Sequence, residues 1–232
     1  MTDVLIPLFS LIALEVILGI DNIIFISILA DKLPEHQRNK LRYWGIGLAV
    51  VLRLGLLAFI SWILKLDQTL FTLWQIDFSG KGLILIAGGL FLLYKSTKEI
   101  YYKSEIASEE TPAIPAKISF GRMLTEVIIL DIVFSIDSII TAVGMVQELW
   151  IMYTAVIVTV IIVLAASKPI SNFIRQHPSF KILALCFLMM IGVALLAEGM
   201  HFKIPKGYIY FSMAFAFLVD IIQMKTIKKP QG

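Results

Sequence analysis

Cysteine and charge are both scarce in this sequence. Cys186 is the single cysteine among 232 residues, and only 16% of the residues are charged. A soluble globular domain has about a quarter charged residues. With 59% hydrophobic residues and a mean hydropathy of +0.88, the chain has too much apolar surface for one water-facing core. The composition therefore excludes an intramolecular disulfide framework and indicates an integral membrane protein.

Other missing features exclude further classes of protein. Period-2 alternation is absent, so helices are the only candidates for spanning segments. The start, "MTDVLIPLF", has no basic n-region, and we therefore expect a retained first helix, not a cleaved signal peptide. The last apolar segment, "GYIYFSMAFAFLVDIIQM", has no lysine, which excludes a retinal-binding photoreceptor. "SGKG" (Ser79–Gly82) lacks the glycine spacing of a phosphate-binding loop.

Seven apolar segments are long enough to cross a bilayer, since a spanning helix needs about 20 residues. They cover residues 4–30, 41–64, 82–100, 119–146, 150–168, 181–199 and 207–224. With the N-terminus outside, fifteen Lys and Arg residues fall in the inner loops or at the inner ends of spans and four on the outer side, and only Arg53 lies deep within a span. Cytoplasmic loops carry such an excess. The sequence therefore predicts an all-α membrane protein with seven transmembrane helices, N-out and C-in.

The second half of the chain repeats the first. "LEVILGIDNII" (Leu14–Ile24) aligns with "LDIVFSIDSII" (Leu130–Ile140), and "GGLFLLYK" (Gly88–Lys95) aligns more weakly with "IGVALLAE" (Ile191–Glu198). Because three helices are an odd number, the second repeat crosses the membrane in the opposite sense, as in inverted-repeat transporters. Four units are predicted: a first three-helix repeat (1–95), a cytoplasmic linker (96–118), an inverted three-helix repeat (119–200), and a seventh helix with a basic tail (201–232).

The repeat places two carboxylic acids six residues apart in each of two spans. Glu15 and Asp21 lie in the first span, and Asp131 and Asp137 lie in the fourth. A carboxylate at the bilayer centre costs roughly 2.5–3.5 kcal/mol on insertion scales, so four cost on the order of 10 kcal/mol. Protonation or a structural hydrogen bond would explain one such acid. A duplicated pair of pairs instead predicts a functional site near the midplane, at the repeat interface.

Helix geometry gives these residues two directions. Residues four and seven apart share a face, whereas residues six apart point about 120° away from each other. Two sets of residues align on this basis: Glu15, Gly19 and Asn22 in the first helix, and Asp131, Ser135 and Ser138 in its counterpart. Asp21 and Asp137 join these faces only if each helix opens between its acids. Gly19 and Ser135 favour such an opening, and we therefore expect a break in both helices.

The polar residues around the four acids offer only oxygen ligands, because all three histidines fall in loops and Cys186 is remote. Carboxylate, amide and hydroxyl groups suit Mn²⁺, Mg²⁺ or Ca²⁺ and argue against Zn²⁺ and Cu⁺. The surplus negative charge could bind protons, which would couple ion and proton movement, or it could pair with Arg53. That arginine is a candidate counter-ion or a structural tie. Asp220, within the seventh span, has a structural or pathway role, and Lys95 and Glu198 are predicted to snorkel from the ends of their spans.

Several stretches carry a resemblance to a known family. "EVILGIDNIIFISILADKLPEHQR" (15–38), "ILDIVFSIDSIITAVG" (Ile129–Gly144), "HPSFKILAL" and "IPKGYIYF" resemble the TerC family of bacterial membrane proteins. This resemblance covers nearly the whole chain. It implies a seven-helix inverted-repeat fold related to the LysE-type exporters and Mn²⁺ efflux across the cytoplasmic membrane, with tellurite resistance as a historical association. The metal-site candidates carried over by motif are Glu15, Asp21, Asn22, Asp131, Asp137 and Ser138.

Taken together, the residues and the resemblance predict a divalent-metal exporter of the bacterial inner membrane, with Mn²⁺ as cargo and Ca²⁺ or Mg²⁺ as alternatives. It would work by alternating access and would not be an enzyme. An intramembrane aspartyl protease is disfavoured, because the aspartates stand in "LGID" and "FSID" and not in "GxGD". A membrane metallochaperone that delivers Mn²⁺ to exported enzymes, and a tellurite-resistance factor, stay open. Expected partners are the ion and the lipid bilayer, not nucleic acid; a homo-oligomer or a contact with the secretion machinery stays open.

Overall fold

The structure is a computed structural model that describes residues 2–73, 76–104, 119–146, 148–202 and 204–226. Apolar runs that cannot reach water form helices, because a helix satisfies its backbone hydrogen bonds within one segment. Within the described ranges the elements are α1 (Thr2–Ala30), α2 (Glu35–Ala58), α3 (Ile60–Lys65), β1 (Thr69–Leu73), β2 (Ile76–Ser79), α4 (Gly80–Ser104), α5 (Phe120–Met145), α6 (Leu149–Gln176), α7 (Pro178–Gly199) and α8 (Lys206–Thr226).

Six of the described helices are long and apolar enough to cross a membrane, namely α1, α2, α5, α6, α7 and α8. The predicted all-helical membrane architecture is thereby confirmed. Helix α4 has 25 residues, which is length enough to span, but it carries several lysines. The seven-span count and the orientation stay predictions.

The second predicted span, 41–64, differs from the observed helices at both ends. Helix α2 begins at Glu35, and its ladder is interrupted at Phe59, where the backbone amide donates to the carbonyls of Gly55 and Leu56. The short α3 follows at once. A hairpin that was not predicted then connects α3 to α4, with β1 antiparallel to β2 and the rings of Phe71 and Phe78 stacked at 5.2 Å. We call this side of the bundle the hairpin end and the opposite side, where α4 ends and α5 begins, the linker end.

The expected break between the acids of each repeat is wrong. Helix α1 is continuous from Thr2 to Ala30, and α5 is continuous from Phe120 to Met145. The physical reason lies in the neighbouring helices, which bring cationic side chains to Glu15, Asp131 and Asp137, so that no backbone ladder has to open. Asp21 and Asp137 therefore keep a direction different from that of Glu15 and Asp131.

The predicted linker begins inside a helix. Helix α4 continues to Ser104, past the predicted boundary at residue 96, and residues 105–118 lie outside the described ranges. Helix α4 continues through this polar stretch because polar residues alone do not end a helix. Glycine and proline, which do end helices, are absent between Ser96 and Ser104.

The helices pack in a crossed pattern. Helix α1 contacts α6, α2 contacts α5, and α4 contacts α7, while α8 packs mainly on α7. The α4–α7 contact is the closest of these. A methyl group added at Gly89 would lie 2.6 Å from the carbonyl oxygen of Gly192, and one added at Gly199 would lie 2.6 Å from that of Gly82. Small residues let two membrane helices approach to backbone contact in this way.

Candidate functional site

A buried cation lies between the first acids of the two repeats. Arg53 on α2 forms an ion pair with Glu15 on α1, and its Nη2 is 3.7 Å from Oδ1 of Asp131 on α5. Its Nε donates to Oγ of Ser135 at 3.2 Å, and Nδ2 of Asn22 donates to Asp131 at 3.2 Å. We call these five residues the Arg53 cluster. Four of its members come from the two predicted aligned faces, which confirms the direction assigned to those faces.

Local sequence explains how the Arg53 cluster forms. On α5, Ser135 lies one turn after Asp131 and donates to its Oδ2 at 3.3 Å. On α1, Gly19 lies one turn after Glu15 and faces α6, where an added methyl group would meet a side-chain carbon of Val163 at 2.6 Å. The glycine therefore lets α6 pack close to the acids.

A small cavity of about 50 Å³ adjoins the Arg53 cluster. Its polar lining includes Asn22, Arg53, Asp131 and Thr159. The hydroxyl of Thr159 is buried and has no hydrogen-bond partner among the described residues. Sequence reasoning missed this residue, because a lone threonine in the apolar run of α6 carries no pattern. Its orphaned oxygen makes it a further candidate for contact with a bound ion or water.

The second acids of the repeats lie apart from the first. Asp21 and Asp137 both line a cavity of about 20 Å³, together with Tyr210 of α8. Ser138 donates to the carbonyl of Ser135 at 3.3 Å and lines a larger cavity at the hairpin end. The six predicted ligands are therefore divided into two groups. Within the described ranges, no three His, Cys, Asp or Glu side chains stand close enough together to hold a metal ion.

Asp137 belongs to a closed circuit of alternating charges, which we call the charge ring. Lys206 pairs with Asp137, and its Nζ is 3.3 Å from Oε2 of Glu198. Nζ of Lys81 lies 3.3 Å from Oε1 of Glu198 and 3.5 Å from Oδ1 of Asp137. The four residues lie on α4, α5, α7 and α8, each toward the hairpin end of its helix. They line a cavity of about 750 Å³ there.

Two predictions about single charged residues need comment. Glu198 belongs to the charge ring and Lys95 pairs with Glu126 near the linker end, and their snorkelling stays a prediction. The close α4–α7 contact brings Glu198 of α7 beside Lys81 of α4. Asp220 is half-buried on α8, and its Oδ2 has no hydrogen-bond partner within the part of the chain that is described. Its role stays a prediction.

Comparison with known proteins gives the family. The sequence profile of the integral membrane protein TerC family matches residues 1–230. The inner membrane protein YoaE of Escherichia coli K12 is 47% identical over 214 residues, which is 92% of this chain and 41% of that protein. A UPF0053 protein of Haemophilus influenzae is 46% identical over 220 residues, covering 95% of this chain and 93% of its own length.

A third relative, YegH of E. coli K12, is 44% identical over 220 residues and is covered to 42%. The chain thus spans about two fifths of the length of these E. coli relatives. No solved structure matches the chain. The relatives and the six membrane-capable helices make it a multi-pass inner-membrane protein. The chain belongs to the TerC family of integral membrane proteins.

Proposed function

We propose that this protein exports a divalent metal ion, with Mn²⁺ as cargo, across the bacterial cytoplasmic membrane. The observation that carries the proposal is the pairing of equivalent acids. Glu15 and Asp131, which align in the two repeats, share Arg53, and Asp21 and Asp137, which also align, line one small cavity. Buried carboxylates, an amide and hydroxyls form an oxygen-only set, which suits hard divalent cations.

The helix contacts support the inverted-repeat interpretation. In the alignment, α1 corresponds to α5, α2 to α6, and α4 to α7. A two-fold axis in the membrane would then exchange the α1–α6 contact with the α2–α5 contact, and both contacts are present. The same axis would exchange α4 with α7, and these two helices contact each other. The excess of Lys and Arg at the linker end supports a cytoplasmic position for that end.

Arg53 serves in this proposal as a placeholder for the ion. Buried carboxylates without a partner are strongly unfavourable, and the guanidinium neutralises part of their charge while the ion is absent. A dication that binds Glu15 and Asp131 makes the guanidinium dispensable to them. Alternating access would then expose the acids to one side of the membrane at a time, with the two repeats moving against each other around the midplane.

The test is metal uptake into proteoliposomes containing the purified protein. Flux of Mn²⁺, Ca²⁺ and Zn²⁺ would be compared for the parent, Asp21→Asn, Asp137→Asn, and the control Asp31→Asn, which removes a carboxylate paired with Lys181 near the linker end. We expect Mn²⁺ flux in the parent and in the control, and none in the other two variants.

The other outcomes are equally informative. Saturable Mn²⁺ binding without flux would replace the exporter with a metallochaperone that delivers the ion. Unimpaired flux in both Asp21→Asn and Asp137→Asn would overturn the site assignment, because the duplicated acids would then serve the architecture alone.

A further inference from the structure

The charge ring has a composition that no motif of the two repeats explains. Lys81 and Lys206 lie outside the duplicated segments, whereas Asp137 belongs to the stronger alignment and Glu198 is the last residue of the weaker one. Each ammonium contacts two carboxylates, and each carboxylate contacts two ammoniums. The ring therefore carries two positive and two negative charges and is neutral as a unit.

One oxygen of the ring is poorly satisfied. Asp137 is only 2% exposed, and its Oδ1 is buried and receives no hydrogen bond within the described structure. The Lys81 ammonium lies 3.5 Å from that oxygen, which is beyond the usual range for a charge-assisted hydrogen bond. Asp137 also lines the cavity of about 750 Å³. A buried carboxylate oxygen without a donor, in a side chain that lines a cavity, is a position that a cation can occupy.

The cavity supplies more oxygen atoms around this position. Ser138 and Thr141 line it beside Asp137, and Asp67 lines it from the turn before the hairpin. Asp67 and His201 are exposed, so the cavity reaches the surface at the hairpin end. Its volume accommodates an ion that keeps part of its water shell, which Mg²⁺ and similar hard dications require.

We propose that the charge ring is a second divalent-cation site, in which one dication takes the place of two lysine ammoniums on Asp137 and Glu198. The inference rests on the proposed function, since it assigns the ring to the exit side of the exporter. The exchange balances in charge, because the ion brings the two positive charges that the two ammoniums withdraw. A monovalent cation balances the withdrawal of one ammonium only, so the replacement of both ammoniums by a single ion requires a dication.

The position of Lys206 makes such an exchange feasible. This lysine is the first residue of α8, which packs mainly on α7 and is the least buried of the membrane-capable helices described. Its side chain is 31% exposed, in contrast to 3% for that of Asp137. The ammonium can therefore move into the cavity while the carboxylate stays, because no core packing has to break.

The experiment measures Mn²⁺ binding to the full chain in lipid nanodiscs, from the loss of the free-ion signal in electron paramagnetic resonance. Lys206→Gln leaves the ring with one uncompensated negative charge, and we expect Mn²⁺ to bind on the order of tenfold more tightly. Lys206→Arg keeps the charge and should bind like the parent. Glu198→Gln removes a ligand and should bind on the order of tenfold more weakly. Lys32→Gln, which breaks an ion pair with Glu99 at the linker end, is the matched control and should change nothing.

Two results would overturn the proposal. Equal affinity in the parent, Lys206→Gln and Glu198→Gln would show that the ring binds no ion. Equal tightening by Lys206→Gln and Lys206→Arg would show that side-chain shape, not charge, controls binding. Mn²⁺ flux measured on the same variants separates the two proposals: flux with unmoved affinities refutes the ring alone, whereas shifted affinities without parental flux refute the exporter and leave the ring as a binding site.

Discussion

The Arg53 cluster and the charge ring both neutralise carboxylates inside the protein, but they do so with different cations. In the cluster, one guanidinium contacts Glu15, Asp131 and Ser135 beside a cavity of about 50 Å³. In the ring, two ammoniums contact Asp137 and Glu198 beside a cavity of about 750 Å³. A guanidinium is a rigid fork with fixed donor directions, whereas an ammonium is a mobile point charge. The cluster is therefore suited to hold its geometry, and the ring is suited to exchange.

The two sites also differ in net charge. The Arg53 cluster has one cation for two carboxylates, while the ring has two cations for two carboxylates. A dication replacing Arg53 would neutralise both Glu15 and Asp131, which the single guanidinium does not. A dication in the ring would only replace two positive charges with two others, so the net charge of the ring would not change. Under the proposed function, the deep site would therefore gain more electrostatically from the ion than the shallow one, a difference that would favour capture inside and release at the hairpin end.

Removing the guanidinium should have the largest effect on stability. Arg53→Met leaves Glu15 and Asp131 buried without a cation, and we expect the free energy of unfolding to fall by about 3–5 kcal/mol. Unfolding by mixed-micelle denaturant titration measures the change. The triple variant Arg53→Met, Glu15→Gln, Asp131→Asn should recover most of the loss, and a variant that stays equally unstable would show that Arg53 acts through packing.

Overpacking the contact between α4 and α7 should have the next largest effect on stability. Gly199→Ala puts a methyl group 2.6 Å from the carbonyl oxygen of Gly82, and overpacking of this kind costs about 1–3 kcal/mol. Gly199 follows Glu198 directly on α7, whereas the Arg53 cluster lies on α1, α2 and α5. The variant therefore disturbs the surroundings of the ring and not those of the cluster. Gly55→Ala, with no atom within 4 Å of the added group, is the matched control. Equal stability of both variants would contradict the backbone contact.

A smaller effect is expected where the cluster loses one hydroxyl. Ser135→Ala removes the group that accepts from Arg53 and donates to Asp131, at a cost of about 1 kcal/mol in unfolding free energy. Ser138→Ala, whose hydroxyl bonds only to a carbonyl of its own helix, is the comparison and should cost less. A larger loss of unfolding free energy for Ser138→Ala would show that its hydroxyl contributes more to stability than that of Ser135, contrary to the contacts of the cluster.

The smallest effect on stability is expected for Lys206→Gln. Its ammonium is partly exposed and Lys81 stays beside Asp137, so we expect a loss within about 1 kcal/mol that shrinks as salt is raised. Unfolding titrations at low and high salt measure it. A salt-independent loss as large as that of Arg53→Met would erase the contrast between the two sites, since both would then be closed structural ion pairs.

The sequence was informative where a pattern had a physical period. The duplicated acids and the i, i+4, i+7 spacing placed Glu15, Asn22 and Asp131 on faces that do meet, because a continuous helix fixes those directions. The same rule placed Asp21 and Asp137 elsewhere. The expectation of broken helices arose from treating all four acids as one site. The acids instead form two sites, and the helices stay continuous because Arg53 reaches Glu15 and Asp131 while Lys206 reaches Asp137.

Contacts between distant segments were beyond sequence reasoning. Lys81 and Lys206 were counted only as basic residues at the outer side, since nothing in their local sequence reveals that α4 and α7 touch through their backbones. The partner of Glu198 follows from that contact. Thr159 was missed for a related reason, because only the packing of α6 against α1 buries its hydroxyl beside the cluster.

The α4–α7 contact has a consequence for the origin of the chain. Gly89 and Gly192 occupy matching positions of the two repeats, and each stands against the carbonyl of the other, at 2.6 and 3.0 Å from an added methyl group. A surface that meets its own equivalent in this way is isologous, the type of interface that two-fold homodimers use. A single three-helix ancestor would have needed no new surface to assemble with a second copy in the opposite orientation, and fusion of the two copies would have preserved the joint.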